Sequence, residues 1–315
     1  MIAALVTEHG RPPEPTGHEL AAPGPGQRLV RVTAAPIVPL DLLCASGTSY
    51  FGPPELPYVP GVSGVGVRSD GTRVWFNTDA GMRPGDGSLA EAAVVDDAET
   101  VPLPDGLPDP VAAALGLSAV AAWMALTWRG GLRPGERVLV LGAGGTVGQV
   151  AVQAAVALGA GAVVAASRRE PARRRALDRG ATAVVDLSDV DGLAERMRDA
   201  ADGPVDLVVD PVGGAAGTAA LLVLGENGRL VHLGASGGPT ATFSSAALRG
   251  GSHSILGYTN NSLSRQQRAE ALTRVLELAA AGRCHVTHQT VPLAAVTDAW
   301  TRAGAAPDGR LVVVP

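Results

Sequence analysis

The chain has 315 residues, of which 46% are hydrophobic and 17% are charged, and it contains 41 glycines and 24 prolines. This composition is too apolar for a disordered chain, and the length allows either two lobes or one large α/β unit. The formal net charge of −5 and a single short basic run, Arg173–Arg175, argue against nucleic acid as a partner.

The cysteine and lysine content indicates the cellular compartment and excludes some catalytic mechanisms. Cys44 and Cys284 are the only cysteines, which is typical of a reducing compartment. The apolar start, Met1–Val6, lacks the positive region of a signal peptide, and glycine, proline or charge interrupts the later apolar runs. We expect a soluble, cytoplasmic protein with no membrane partner. Because lysine is absent, Schiff-base chemistry and a lysine base are excluded.

The pattern of apolar runs changes along the chain. Over residues 1–117, short runs such as Arg28–Thr33 and Gly64–Val67 alternate with proline and glycine, which predicts short, largely antiparallel strands. Over residues 118–256, apolar strands alternate with alanine-rich helical stretches, which predicts βαβ units around a parallel sheet.

Six apolar segments are predicted to form that sheet, in the number expected of a doubly wound fold. They are Arg137–Gly142, Val163–Ser167, Ala181–Asp186, Val205–Asp210, Arg229–Gly234 and Ser252–Gly257. Helical spacing of small apolar residues predicts a helix directly after the first strand. A further helix is predicted over Arg265–Ala281, with closing strands at Val291 and Leu311–Val314.

A glycine-rich turn joins the first of these strands to its helix. Small residues there allow the backbone to approach a pyrophosphate, which then meets free N–H groups and the positive end of the helix. A tight turn with close helix packing would also explain isolated glycines, but the strand–turn–helix context favours a dinucleotide. The predicted contacts are Gly142, Gly144, Gly145, Thr146, Val147 and Gly148.

The end of the second strand indicates which dinucleotide binds. NAD enzymes usually offer a carboxylate to the ribose there, whereas this chain has Ser167 and Arg168, with Arg173 one turn later. A hydroxyl and guanidinium groups suit a 2′-phosphate, so we expect NADPH as the cofactor. The alternative is that these arginines form a solvated helix face.

Further ligand contacts are expected where later strands end, because open α/β sheets bind ligands at the carboxyl ends of their strands. We expect the turn formed by Gly234, Ala235 and Ser236 to lie against the nicotinamide. A plain strand-to-loop turn is the alternative.

The chain resembles the medium-chain dehydrogenase/reductase superfamily along nearly its whole length. The resemblance rests on Pro60–Gly66, Gly87–Glu91, Ala112–Leu126, Arg137–Gly148 and Val152–Gln153, which follow the family's order of motifs. It implies a Rossmann doubly wound parallel sheet plus a GroES-like, mainly β catalytic domain. The implied domains are 1–117 with 257–315 for the catalytic part, and 118–256 for the NADPH-binding part.

The chain departs from the zinc alcohol dehydrogenases of that superfamily. Where those enzymes have a cysteine ligand and a His-Glu pair, this chain has Val38, Val62 and Ser63. Aliphatic side chains offer no lone pair to Zn²⁺, so no metal site is expected. The six histidines show no clear ligand cluster; they are His9, His18, His232, His253, His285 and His288.

The resemblance therefore favours the zinc-free quinone oxidoreductase and enoyl reductase branch, which reduces a small-molecule electrophile without a Lewis acid. It suggests Tyr50 as the proton donor or substrate-orienting group, and a homodimer that pairs along residues 236–258. Two alternatives stay open. One is a pathway-specific enoyl or ketone reductase of polyketide-type biosynthesis, and the other is a catalytically silent NADPH-binding regulator.

Overall fold

The computed structural model describes residues 1–305 and 307–315. The chain forms two compact units. The first unit comprises Met1–Gly116, Leu272–Ala280 and Val286–Pro315, and the second comprises Leu117–Ala271 and Ala281–His285.

The described residues form strands and helices with the following bounds. The strands are β1 Ile2–Leu5, β2 Glu14–Gly17, β3 Gln27–Pro36, β4 Ser63–Arg68, β5 Arg73–Asn77, β6 Ala92–Asp96, β7 Thr100–Pro102, β8 Arg137–Leu141, β9 Ala162–Ser167, β10 Ala183–Asp186, β11 Val205–Asp210, β12 Leu224–His232, β13 Ser254–Gly257, β14 His288–Pro292 and β15 Arg310–Val314. The α-helices are α1 Pro39–Ala45, α2 Asp109–Met124, α3 Thr146–Ala157, α4 Glu170–Asp178, α5 Leu193–Ala201, α6 Gly214–Leu221, α7 Ser245–Gly250, α8 Arg265–Ala280 and α9 Val296–Gly304.

The second unit contains a six-stranded sheet in the order β10-β9-β8-β11-β12-β13. Every neighbouring pair in it is parallel. This is the doubly wound order: successive strands are added on one side of β8 up to β10, and then on its other side from β11 onward. The predicted Rossmann sheet is therefore confirmed, and β12 begins earlier than expected, at Leu224.

Helices cover this sheet because its strands are apolar on both faces. Leu139 and Leu141 of β8 pack with Leu193 and Met197 of α5 in one buried cluster. In α3, residues Gly148–Ala155 are all buried, and most of them are small. Small side chains allow the helix to lie close to the strands.

The first unit contains a mostly antiparallel, seven-stranded sheet, as the short runs of residues 1–117 predicted. Its order is β14-β15-β3-β4-β5-β7, and β6 also pairs with β3. The pair β14 and β15 is parallel, and β1 and β2 form a separate antiparallel pair. Phe76, Leu89, Trp300 and Leu311 lie in its buried core.

The contacts divide the chain later than the predicted boundary at residue 257. Residues 257–271 and 281–285 group with the second unit. Gly257 ends β13, which pairs with β12, and the Asn260 side-chain amide donates to the Leu117 carbonyl at 3.1 Å. The periodicity of the local sequence cannot predict these contacts between distant residues. The extents of the two functional domains stay a prediction.

One helical stretch, Asp109–Arg129, is long and apolar enough to cross a membrane by length and composition. Of the 18 most apolar consecutive residues in this stretch, 67% are buried inside the protein, as in the core helix of a globular fold. Gly116 interrupts this stretch, in line with the expectation that glycine, proline or charge breaks the later apolar runs. Gly116 does adopt a non-helical conformation, with φ 36° and ψ −137°.

Candidate functional site

The glycine turn lies between the end of β8 at Leu141 and the start of α3 at Thr146. Gly142 has φ +66°, a conformation that favours glycine. Gly145 is the N-cap of α3 and provides no side-chain cap. The first backbone N–H groups of a helix have no partner within the helix, so this end of α3 can receive an anion.

Gly148 sets how closely α3 approaches the turn. A Cβ at this position would lie 2.2 Å from the Gly142 carbonyl oxygen and 2.7 Å from the Ala143 Cα. Backbone atoms cannot yield as a flexible side chain would, so only glycine fits. At Gly145, by contrast, a Cβ would meet only the Gly142 oxygen, at 3.6 Å.

Polar side chains of α3 hold the turn and a later segment of the second unit. Gln149 Nε2 donates to the Gly144 carbonyl at 3.0 Å, and Gln149 Oε1 accepts from Arg179 at 2.8 Å. Gln153 donates to the His285 carbonyl and accepts from its N–H, both at 2.8 Å. Local sequence patterns do not indicate this network, because its partners lie far apart in the chain.

The predicted residues at the end of β9 lie beside the turn. Ser167 is buried, and its Oγ would be 3.2 Å from a Cβ placed on Gly144. Arg168 is exposed. The side chain of Arg173 instead packs against the protein surface, and its Nη2 lies 3.0 Å from Asp186 Oδ2. This ion pair was not predicted.

The turns after β11 and β12 reach the same edge of the sheet. A Cβ on Gly142 would lie 2.9 Å from Val212 Cγ2, and one on Gly237 would lie 2.7 Å from Val212 Cγ1. Ser236 Oγ donates to the Pro211 carbonyl at 3.2 Å. The structure thus brings the glycine turn and the segment Gly234–Ser236 to neighbouring positions, with Val212 between them.

Asp210 holds the ends of β11 and β12 together. The buried carboxylate accepts from the N–H groups of Val212 and Gly213 at 2.9 and 2.7 Å. Its other oxygen lies 2.9 Å from His232 Nδ1. His232 thus supports the turns that carry the candidate contacts.

In the first unit, Asp41 joins the two loops that carry the ligand positions of zinc dehydrogenases. Its carboxylate accepts from the N–H of Val38 at 2.8 Å and from that of Val62 at 2.9 Å. Burial raises the pKa of Asp41 to about 6, against the opposing effects of these amides and of Arg310.

The residues at these positions do not fit a catalytic zinc. The side chains of Val38 and Val62 are aliphatic and cannot bind Zn²⁺. Within residues 1–305 and 307–315, no three His, Cys, Asp or Glu side chains form a group that could hold a metal ion.

The tyrosines differ in their surroundings. Tyr50, the predicted catalytic residue, is 73% exposed, and its ring lies 4.3 Å from that of Phe51. Tyr58 is buried, and its hydroxyl has no hydrogen-bond partner among the described residues. Burial, with Asp41 and Cys44 nearby, raises the pKa of Tyr58 well above its usual range. The local sequence around Tyr58 gives no sign that its side chain is buried near a carboxylate, so this environment could not be predicted.

The close approach at Gly148 can be tested by a matched pair of alanine variants. Gly148→Ala should lower the free energy of unfolding by about 2 kcal/mol or more, because the new methyl group overlaps backbone atoms. Gly145→Ala, where there is space, should change it by less than about 1 kcal/mol. Denaturant unfolding measures both. Equal losses would contradict the packing described here.

Comparisons with known proteins identify relatives of this chain by sequence and by fold. The model of the zinc-binding dehydrogenase family matches residues 146–280. A quinone oxidoreductase of Rattus norvegicus is 32% identical over 227 residues, which are 69% of this chain and 67% of that protein. A mycocerosic acid synthase-like polyketide synthase of Mycobacterium tuberculosis is 35% identical over 218 residues, 67% of this chain. The chain spans only about 10% of the length of that synthase.

A solved structure is similar over the whole chain. The quinone oxidoreductase of Thermus thermophilus, whose structure is also known in complex with NADPH, has a TM-score of 0.82 and 29% identity, with 100% of both chains covered. Together with the family match and the rat relative, this likeness identifies the family. The chain belongs to the medium-chain dehydrogenase/reductase superfamily, in its quinone oxidoreductase-like branch.

Proposed function

We propose that the protein is a zinc-independent, NADPH-dependent oxidoreductase that reduces a quinone or an α,β-unsaturated carbonyl compound. The observation that carries this proposal is the uncapped N-terminus of α3 beside Ser167 and Arg168. It combines a site for a pyrophosphate with a hydroxyl and a guanidinium for a 2′-phosphate.

The pyrophosphate is held by the glycine turn. Gly145 leaves the backbone open to a ligand, and the N–H groups of Thr146, Val147 and Gly148 form the first turn of α3. These groups donate to phosphate oxygens, and the helix dipole favours the negative charge.

The preference for NADPH rests on charge at the end of β9. Ser167 ends this strand and the exposed Arg168 follows it, where an acidic residue would repel a 2′-phosphate. Asp186 lies opposite Ser167 in the register of β9 and β10, but its carboxylate is already paired with Arg173. The Thermus relative solved with NADPH supports the same cofactor here.

The reduction needs one hydride and one proton for each acceptor molecule. When bound, NADPH supplies the hydride. The turn Gly234–Ser236, next to Val212 and the glycine turn, orients the nicotinamide at the edge of the sheet. Negative charge that develops on the acceptor oxygen is stabilised by N–H or hydroxyl donors, since Val38 and Val62 leave no place for a zinc ion.

Tyr50 is the candidate proton donor. Its side chain is exposed and can meet a substrate, whereas the hydroxyl of Tyr58 is enclosed. Similarity to quinone oxidoreductases, in which a tyrosine follows the aspartate of the Pro39–Asp41 segment at a comparable interval, supports this role.

A second candidate function is reduction of an enoyl or keto intermediate in polyketide-type biosynthesis. The 35% identity to a mycobacterial polyketide synthase favours it. Both functions use the same cofactor site, and they differ in the acceptor.

The protein is also proposed to form a homodimer through the edge of the second unit's sheet. β13 is the last strand in that sheet and, among the described residues, has a neighbour on one side only. Ile255 on β13 is 43% exposed, and Phe243 is 56% exposed. An apolar edge strand of this kind can pair with a second copy.

Turnover tests the proposed reaction. Oxidation of NADPH, followed by its absorbance, should proceed with quinones or enones, should be slower with NADH, and should be negligible with saturated ketones. Acyl-thioester enones as the preferred acceptors would favour the biosynthetic reductase. Binding of NADPH without turnover of any acceptor would contradict the enzymatic proposal and favour a regulator.

Substitution of single tyrosines tests the proton donor. Tyr50→Phe should lower kcat at least about tenfold, because a positioned acid contributes about 10² or more to a rate. Tyr58→Phe, the matched control, should leave kcat within about twofold. A reduced kcat for Tyr58→Phe alone would overturn the assignment of Tyr50.

Light scattering tests the dimer. The purified protein should have twice the mass of one 31.7 kDa chain. Ile255→Lys, which places a charge on the edge strand, should shift it toward the monomer, whereas Ile2→Lys, at another exposed apolar side chain, should not. A monomeric wild-type protein would rule the proposal out.

A further inference from the structure

Arg173 lies on α4, but its guanidinium points back toward the loop after β9. Nη1 donates to the Ser167 carbonyl at 2.8 Å and to the Arg168 carbonyl at 2.9 Å. Nη2 lies 3.0 Å from Asp186 Oδ2, and the side chain is only 17% exposed. Most of its donating capacity is therefore already used within the protein.

Asp186 is well placed to hold this guanidinium. It ends β10 and lies opposite Ser167 in the parallel register of β9 and β10. The Ser188 N–H donates to Asp186 Oδ1 at 2.8 Å. The hydrogen bond from the Ser188 N–H, together with the nearby Arg173, keeps the pKa of Asp186 below its usual range, so the pair is charged at neutral pH.

The same contacts fix the backbone that carries Arg168. Its carbonyl accepts from Arg173 and also from Ser188 Oγ, at 3.2 Å. The Arg169 N–H donates to Ser167 Oγ at 3.4 Å. The side chain of Arg168 is exposed and has no hydrogen-bond or ion-pair partner in the part of the chain that the structure describes.

We propose that Arg173 is a positioning residue, which with Asp186 fixes the loop after β9 so that Arg168, rather than Arg173, offers its guanidinium to the 2′-phosphate. This inference rests on the proposed NADPH-dependent function and deepens it. It separates two arginines that the sequence placed together as phosphate contacts.

Geometry and charge argue against a phosphate bound directly to Arg173. Such a contact would require the guanidinium to leave two carbonyl oxygens and a carboxylate. It would also bring a dianionic group toward Asp186, which repels it. Arg168 has neither cost, because its side chain lies in solvent on a backbone that is already fixed.

A lysine at each position distinguishes the two roles. Lysine binds phosphate as a point charge, but it cannot reproduce the planar fork that reaches two carbonyls and a carboxylate. Arg168→Lys should therefore keep most of the affinity for NADPH, within about threefold. Arg173→Lys should lose as much affinity as Arg173→Gln, although the positive charge is kept.

A double-mutant cycle tests the dependence of one arginine on the other. Dissociation constants for NADPH and NADH are measured by fluorescence titration for Arg168→Gln, Arg173→Gln and the double variant. Arg168→Gln should weaken NADPH binding about tenfold or more and leave NADH within about twofold. The double variant should bind NADPH no more than about twofold more weakly than Arg168→Gln, since Arg173 acts through Arg168.

The outcomes separate the alternatives. Additive losses in the double variant, or full rescue by Arg173→Lys, would show a direct phosphate contact and overturn the proposal. Equal weakening of NADPH and NADH by Arg173→Gln would show a merely structural role and overturn it as well. Arg174→Gln, at an exposed neighbour paired with Glu170, is the control and should change neither constant. Failure of the wild-type protein to prefer NADPH would instead refute the proposed function itself.

Discussion

The contact between α3 and the glycine turn is the constraint on which the candidate site depends. With no side chain at Gly148, the helix axis lies so close to the turn that a single methyl group would overlap the Gly142 carbonyl. This approach aims the N-terminal N–H groups of α3 at the carboxyl edge of the sheet, where Ser167 and Val212 also lie. The proposed binding of the pyrophosphate at this edge rests on backbone geometry rather than on a charged side chain.

The sequence predicted the second unit well because its signals are local. A buried parallel strand, a turn that requires glycine and a helix of small residues each constrain neighbouring positions, so Arg137–Gly148 could be interpreted without knowledge of the fold. The proposed roles of Arg168 and Arg173 could not be separated in this way. They differ because Asp186 lies beside Ser167, and that proximity arises only when β9 and β10 pair.

The first unit shows the same division between local and tertiary information. The valines at the ligand positions of zinc dehydrogenases can be identified in the sequence, but the hydrogen bonds that connect their backbones through one carboxylate cannot. Asp41 links Val38 to Val62 across residues far apart in the chain, and burial together with this carboxylate raises the pKa of Tyr58. Tyrosines that look alike in the sequence therefore differ, since Tyr50 is exposed and Tyr58 is enclosed.

A crystal structure of the protein with NADPH tests the central claim most directly. The account predicts the pyrophosphate on the N–H groups of Thr146–Gly148 and the 2′-phosphate beside the guanidinium of Arg168, with the ion pair between Arg173 and Asp186 intact. A dinucleotide bound away from the glycine turn, or no bound NADPH at saturating concentration, would contradict it.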